Sequence, residues 1–260
     1  MKSLILIKLG GSVITNKSKP FSARRKAIAR LGRELQQIQG KYKGKILVGH
    51  GSGSFGHTVA SKYKTQEGVI NKNSVKGFCL TADAAIRINR IVIEEFLKLG
   101  IKAVSFAPLS FIYEGKVFFN NIKKALDIDT LPIIYGDVIM NKGKGFCIYS
   151  GEKTLDLLAD KLSEYYKVEK IIMVGDTDGV YDLKGRTIKK ISAKNSKEIR
   201  SALGGSKSTD VTRGMLHKVN QSLSLSREKN IITIIINGNR RNELVKAVIG
   251  QKTKGTILTY

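Results

Sequence analysis

Along the chain, short unbroken apolar runs alternate with longer stretches in which apolar residues recur at helical spacing. Leu4–Leu9, Lys45–Val48, Ile101–Phe106, Leu131–Tyr135, Lys170–Val174 and Ile231–Ile236 are the short runs. Such runs read as strands buried on both faces, the arrangement of a parallel sheet rather than a half-solvated antiparallel one. Between them, Ser22 is placed to cap a helix through about Gln39, stopped by Gly40. Ser74–Leu99 carries Ile88, Ile91, Val92, Phe96 and Leu99 at i, i+3, i+4 spacing, with Gly100 as its stop. Helices are also expected from Gly151 to about Tyr166, over Val211–Arg227 and over Glu243–Val248. Two hairpins are expected, one turning at Glu114-Gly115 and one spanning Val138–Tyr149 across Lys142–Gly145. This alternation predicts an α/β fold: an open, mostly parallel sheet flanked by helices on both faces.

No internal repeat, low-complexity segment or linker interrupts the pattern. Residues 192–210, rich in Lys, Ser and Gly, are expected to form a mobile loop. With 260 residues the chain can bury a full core, and it reads as one domain of two lobes, about 1–150 and 151–260. An apolar content of 42% and a charged content of 26% fit a soluble globular protein. The net charge of +25 changes the picture, because it favours anionic partners: nucleic acid, acidic membrane surfaces or phosphorylated metabolites. No basic block with interleaved aromatics supports a nucleic-acid surface, and a lysine-rich solvated face is the plainer reading. Cys79 and Cys147 form neither a C-x-x-C pair nor a disulfide framework, so reduced thiols are expected. No run approaches the roughly 18 apolar residues of a membrane span, and the N-terminal run is too short for a signal peptide, so no membrane association and a cytoplasmic location are expected.

The candidate chemistry begins at Val48-Gly49-His50-Gly51-Ser52-Gly53-Ser54-Phe55-Gly56-His57, a glycine-rich stretch that follows a strand and leads toward a helix opening near Thr58. Such turns let backbone N–H groups reach a phosphate. Gly51-x-Gly53-x-x-Gly56 matches a dinucleotide fingerprint, and Gly51–Thr58 matches P-loop spacing with His57 in place of lysine. The first needs a ribose-binding acid about 20 residues on, and no acid lies between Glu67 and Asp83. The second needs a permanently charged lysine, which histidine does not replace at neutral pH. A second turn, Gly10-Gly11-Ser12, ends the first strand. In a parallel sheet both turns open onto one crevice at the carboxyl edge, flanked by Lys8, Lys17 and His57. Donors and cations around a migrating group are what phosphoryl transfer requires.

Lys8-Leu9-Gly10-Gly11-Ser12, Thr15-Asn16-Lys17 and His50-Gly51-x-Gly53-Ser54-Phe55-Gly56-His57 resemble the isopentenyl phosphate kinase branch of the amino acid kinase family. The resemblance continues through Tyr135-Gly136-Asp137-Val138, Ser150-Gly151, Asp176-Thr177-Asp178-Gly179-Val180-Tyr181 and Asp210-Val211-Thr212-x-Gly214-Met215-x-x-Lys218. It implies the three-layer fold of that family and transfer of a phosphoryl group from ATP, with Mg²⁺, to isopentenyl phosphate in isoprenoid synthesis. It also implies a homodimer. By the same resemblance Lys8, Leu9, Gly10, Gly11 and Ser12 hold the nucleotide phosphates, with Gly53, Asp176, Gly214 and Lys218 also at the nucleotide. Lys17 stabilises the transferred group, His57, Ser52, Gly53 and Gly151 bind the acceptor, and no residue set is a dedicated metal site. His50 and His217 read as structural. Phe78, Leu80 and Ile86 are candidates to line the acceptor's apolar tail. Three departures stand out: Ser52 where the branch has glycine, Glu152-Lys153 where it has two aspartates, and Arg213 where it has glycine. A fosfomycin-type phosphonate kinase is the sibling alternative; a basic nucleic-acid- or nucleotide-binding protein and a dinucleotide-dependent oxidoreductase are the readings from other classes.

Overall fold

The computed structural model describes residues 1–196, 199 and 210–260, the first five of the last segment by their backbone alone. Most of the expected mobile loop at 192–210 therefore lies outside the described residues. Residues 192–196 are held by their own hydrogen bonds: Ser192 N–H donates to Asn195 Oδ1 at 2.8 Å and Ser196 N–H to Ser192 O at 2.9 Å.

The strands are β1 (Ser3–Leu9), β2 (Lys45–His50), β3 (Ala103–Phe106), β6 (Leu131–Tyr135), β9 (Lys167–Gly175), β10 (Lys190–Ile191), β11 (Ile232–Asn237) and β12 (Thr256–Leu258). They form one eight-stranded sheet in the order β10-β12-β11-β9-β1-β2-β6-β3. All pairings are parallel except β11 with β12, so the sheet is mostly parallel, as expected. The helices are α1 (Gly11–Ile14), α2 (Arg25–Lys41), α3 (Gly53–Tyr63), α4 (Ser74–Lys98), α5 (Pro108–Phe111), α6 (Asn120–Asp127), α7 (Gly151–Leu162), α8 (Asp210–Lys229) and α9 (Glu243–Ile249).

Strand β1 lies between β2 and β9 and feeds both cores. Its Ile5, Ile7 and Leu9 enter the core under α2, α4 and α9; Leu4 and Leu6 enter the one under α6, α7 and α8. That alternation explains why the run is apolar except at Lys8, since both faces of the strand are buried. The sheet also joins the two expected lobes, because β9 pairs with β1 along its whole length. Two small antiparallel pairs stand outside it. β4 (Ile112–Tyr113) and β5 (Lys116–Val117) turn at Glu114 and Gly115 with φ of 49° and 76°, and β7 (Asp137–Asn141) pairs with β8 (Gly145–Tyr149). Both hairpins match the sequence expectation.

Three local expectations are corrected. Helix α2 is capped at Arg24, not Ser22, and runs one residue past Gly40 to Lys41. Ser22 is held instead in the loop before it, accepting from Asn16 N–H through its backbone oxygen and donating its own N–H to Ser54 Oγ. Helix α7 ends at Leu162, four residues short of Tyr166. Helix α3 opens at Gly53, not near Thr58, so the glycine-rich stretch is itself the first turn of a helix.

Candidate active site

The carboxyl ends of β1, β2, β6, β9 and β11 meet along one edge, and the turns leaving them are tied to one another. Gly10 N–H donates to Val174 O at 2.7 Å, Gly51 N–H to Leu9 O at 3.0 Å, Gly136 N–H to His50 O at 2.8 Å and Gly238 N–H to Gly175 O at 2.7 Å. The expected shared crevice is therefore built by backbone hydrogen bonds from strand to strand.

Its centre is the contact between the two glycine-rich turns. A Cβ on Gly11 would stand 2.7 Å from Gly53 Cα and 2.8 Å from its nitrogen, so neither turn tolerates a side chain there. Gly53 also has φ +51°, a left-handed conformation that favours glycine. Thr15 locks the pair: its hydroxyl donates to Gly11 O at 2.7 Å and accepts from Ser54 N–H at 3.0 Å. Phe55 and Gly56 N–H groups return to Ser52 O. Those of Ser52 and Gly53 have no partner among the described residues, which leaves two donors at the positive end of α3.

His57 stands on α3, exposed and without a hydrogen-bonding partner among the described residues. His50 is its opposite. It is fully buried, with Nε2 3.1 Å from Asn89 Oδ1 and Nδ1 3.1 Å from Gly51 O, and it stacks on Tyr135; burial holds its pKa low. His50 is structural, as expected. Ser52 adopts φ −76°, ψ −13°, open to any residue, and its side chain folds over Gly56, so its departure from glycine costs the backbone nothing. Gly151, at the start of α7, packs against His50 O, where a Cβ would approach to 2.5 Å, and beside Gly136. Ser52, Gly53, Gly136 and Gly151 thus converge on the β2–β6 side.

The charged groups gather on the β1–β9 side. Lys8 Nζ lies 2.8 Å from Glu152 Oε2, both side chains mostly buried. Burial pushes the Glu152 carboxyl up, but the charges of Lys8 and Lys218 outweigh it and hold the group below the ordinary carboxylate range. Lys218 on α8 is pulled below the usual lysine range by burial and by repulsion from Lys8. Lys17 Nζ is 3.4 Å from Asp176 Oδ2, an exposed pair that solvent screens and a ligand could readily displace. Asp176 is pushed up by burial and more than offset by Lys17 and by a hydrogen bond from Ser12. The structure therefore brings together Lys8, Ser12, Lys17, Asp176 and Lys218. Leu9 is buried in the core, so only its backbone faces the turn. Gly214 and Arg213 lie on the first turns of α8, which are described by backbone alone, so the roles expected at these two positions lie outside the described side chains.

Three contributors escaped the sequence reading. Glu152, flagged only as a departure, is the partner of Lys8. Asp156, one turn further along α7, is buried with both carboxylate oxygens unpartnered, and burial together with the Glu152 charge pushes its pKa up to about 7. Its signal was available: a carboxylate among Leu155, Leu158 and Ala159 on the buried face of α7. Asp137 accepts from Val138 N–H at 2.9 Å and Leu109 N–H at 3.4 Å, and burial raises it to about 6. Asp178 is a brace, gripped by the Arg240 guanidinium and the Asn237 amide, which drive it down to about 2. Of the three tail-lining candidates, Phe78 packs on Phe146, whereas Leu80 and Ile86 stand 38% and 46% exposed.

No group of three or more metal-ligating side chains occurs among the described residues. Asp176, exposed opposite Lys17, is a carboxylate that could take one position on a divalent ion held otherwise by phosphates and water.

Residues 3–237 match the model of the amino acid kinase family. The isopentenyl phosphate kinase of Methanocaldococcus jannaschii is 34% identical to this chain, over 99% of both sequences. That of Methanothermobacter thermautotrophicus is 30% identical over 98% of this chain and 99% of its own. Among solved structures, an isopentenyl phosphate kinase superposes with a TM-score of 0.80 at 27% identity, covering 98% of this chain and 99% of that one.

Proposed function

The chain belongs to the amino acid kinase family, and from that premise we propose that it transfers the γ-phosphoryl group of ATP to the phosphate of isopentenyl phosphate, releasing isopentenyl diphosphate and ADP. The observation that carries this reading is the join between the two turns. Gly11, on the nucleotide side, touches Gly53, where α3 begins, and the same helix presents His57, exposed and unpartnered. A donor phosphate over one turn and an acceptor phosphate over the other would lie end to end, the geometry an in-line transfer needs.

In this mechanism the Gly10–Ser12 turn and Lys8 hold the β- and γ-phosphates, and Lys218 adds charge from α8. Glu152 keeps Lys8 aimed until the nucleotide arrives. Lys17 turns from Asp176 to the migrating group, where negative charge accumulates in the transition state. His57 and the free N–H groups of Ser52 and Gly53 grip the acceptor phosphate, with the Gly151 backbone N–H as a further donor. A magnesium ion bound with the nucleotide would supply charge neutralisation, with Asp176 the exposed carboxylate placed to hold it. The lobe built on β2, β6 and β3 serves the acceptor and the one built on β9 and β11 the nucleotide. A cytoplasmic homodimer feeding isoprenoid synthesis by the mevalonate route completes the proposal; sedimentation equilibrium tests the dimer.

The functional test is a panel of acceptors with Mg·ATP: isopentenyl phosphate, a small phosphonate, a nucleoside monophosphate and N-acetylglutamate. Preferential turnover of isopentenyl phosphate is expected. Turnover of the phosphonate without isopentenyl phosphate would replace this reading with the phosphonate kinase.

A further inference from the structure

Away from the transfer site, α2 and the segment leading into α9 enclose a groove of about 740 Å³. Arg24, Lys26, Arg30, Arg33 and Arg241 line it, facing one carboxylate, Glu34. That carboxylate is already engaged: it is buried, and Arg30 Nη1 holds its Oε1 at 2.7 Å. Arg24 donates to Ser12 O at 3.2 Å and to Asn239 Oδ1 at 3.1 Å. Lys26, Arg33 and Arg241 are exposed and have no acidic partner among the described residues. Like charges are thus held together with nothing on the protein to neutralise them.

The surface habit of the chain does not account for this groove. The sequence has 34 lysines and 12 arginines, yet four of the five cations here are arginines. A guanidinium presents a rigid fork of donors that matches phosphate oxygens, whereas lysine is a hydrated point charge. One phosphate group, with about two negative charges, would neutralise only half of the groove's excess.

We propose that this groove is a second anion site, binding a ligand with two or more linked phosphate groups. Arg24 connects it to the nucleotide turn, since the same guanidinium that lines the groove holds the carbonyl of Ser12. The inference is independent of which acceptor the transfer site uses.

The test is calorimetric titration with inorganic diphosphate at fixed ionic strength, comparing the native chain with Arg33→Ala/Arg241→Ala. Both side chains are exposed, make no hydrogen bond or ion pair among the described residues, and lie outside the transfer site. The expected result is a saturable binding event weakened at least about tenfold in the double variant, while kcat/KM and the melting temperature stay near native values. Parallel titrations with isopentenyl diphosphate and a nucleoside triphosphate identify the source of the phosphates by the tightest arm. The proposal is overturned if the double variant binds diphosphate as the native chain does, or if no saturable binding occurs. Equal affinity for orthophosphate, or tighter binding of a short oligonucleotide lost in the same variant, overturns it as well.

Discussion

Lys8 and Glu152 stand 144 positions apart in the chain and 2.8 Å apart in the fold, and around that pair the ionisable groups of the site are sorted. Two carboxylates one turn apart on α7 take opposite fates. Glu152, against lysines, stays ionised; Asp156, behind it and without a partner, keeps its proton up to about pH 7. Because the folded pKa of Asp156 lies above the ordinary 3.8, the native state binds the extra proton between those values. Its contribution is therefore present at low pH and is lost as pH rises through about 7. Asp156→Asn should remove that loss. Its melting temperature should exceed that of the native chain at pH 8, with the gap shrinking by pH 5, and the gain is at most about 4 kcal/mol. Thermal melts across that range check it; a gap independent of pH refutes it. For catalysis, His57→Ala should lower kcat/KM for isopentenyl phosphate by at least about 100-fold with an unchanged circular dichroism spectrum. Lys17→Ala should lower kcat by about 100-fold with little change in KM, because its contact strengthens only in the transition state. Steady-state kinetics separate the two.

At the scale of elements, the site depends on how helices begin. Helix α3 starts inside the glycine-rich stretch, so its positive end lies against the Gly10–Ser12 turn, and His57 follows one turn later, exposed. Gly11→Ala would drive a methyl into the Gly53 backbone and part the two turns. We expect a loss of about 1–3 kcal/mol in stability, read from denaturant unfolding, and activity lost out of proportion to it. Helix α7 starts at Ser150, whose hydroxyl accepts from Lys153 N–H at 3.2 Å. Removing that cap in Ser150→Ala should cost about 1 kcal/mol, a fall of about 2–4 °C in melting temperature for a chain of this size.

Across the whole molecule, the charge of +25 acts on encounter rather than on fold. Both substrates are anions, so kcat/KM should fall several-fold as ionic strength rises from about 0.02 to 0.5 M while kcat holds nearly constant. An equal fall in kcat would point instead to salt acting on the bound state.

What could be read in advance and what could not divide along a physical line. The six long strands of the sheet, the long helix from Ser74 and both hairpins were legible because apolar periodicity and turn residues are local properties, whereas the two- and three-residue strands β10 and β12 are too short to carry a pattern. Lys8, Lys17 and Ser12 were legible as a group because each closes or follows a strand and a parallel sheet brings strand ends to one edge; Asp176 was placed beside them only by the family resemblance. The start of α3 was misjudged because glycine reads as loop by propensity. In the fold, contact with Gly11 and the Thr15 bridge hold those residues helical. The ion pair of Lys8 with Glu152, the isolation of Asp156 and the arginine groove were not legible at all. Each depends on which side chains from distant elements share a space, and on how much water remains there. The sequence by itself determined the long elements, their order and the kind of chemistry. Only the tertiary structure decided which charges face one another, because burial and distance, not residue type, set whether a carboxylate is paired, protonated or free.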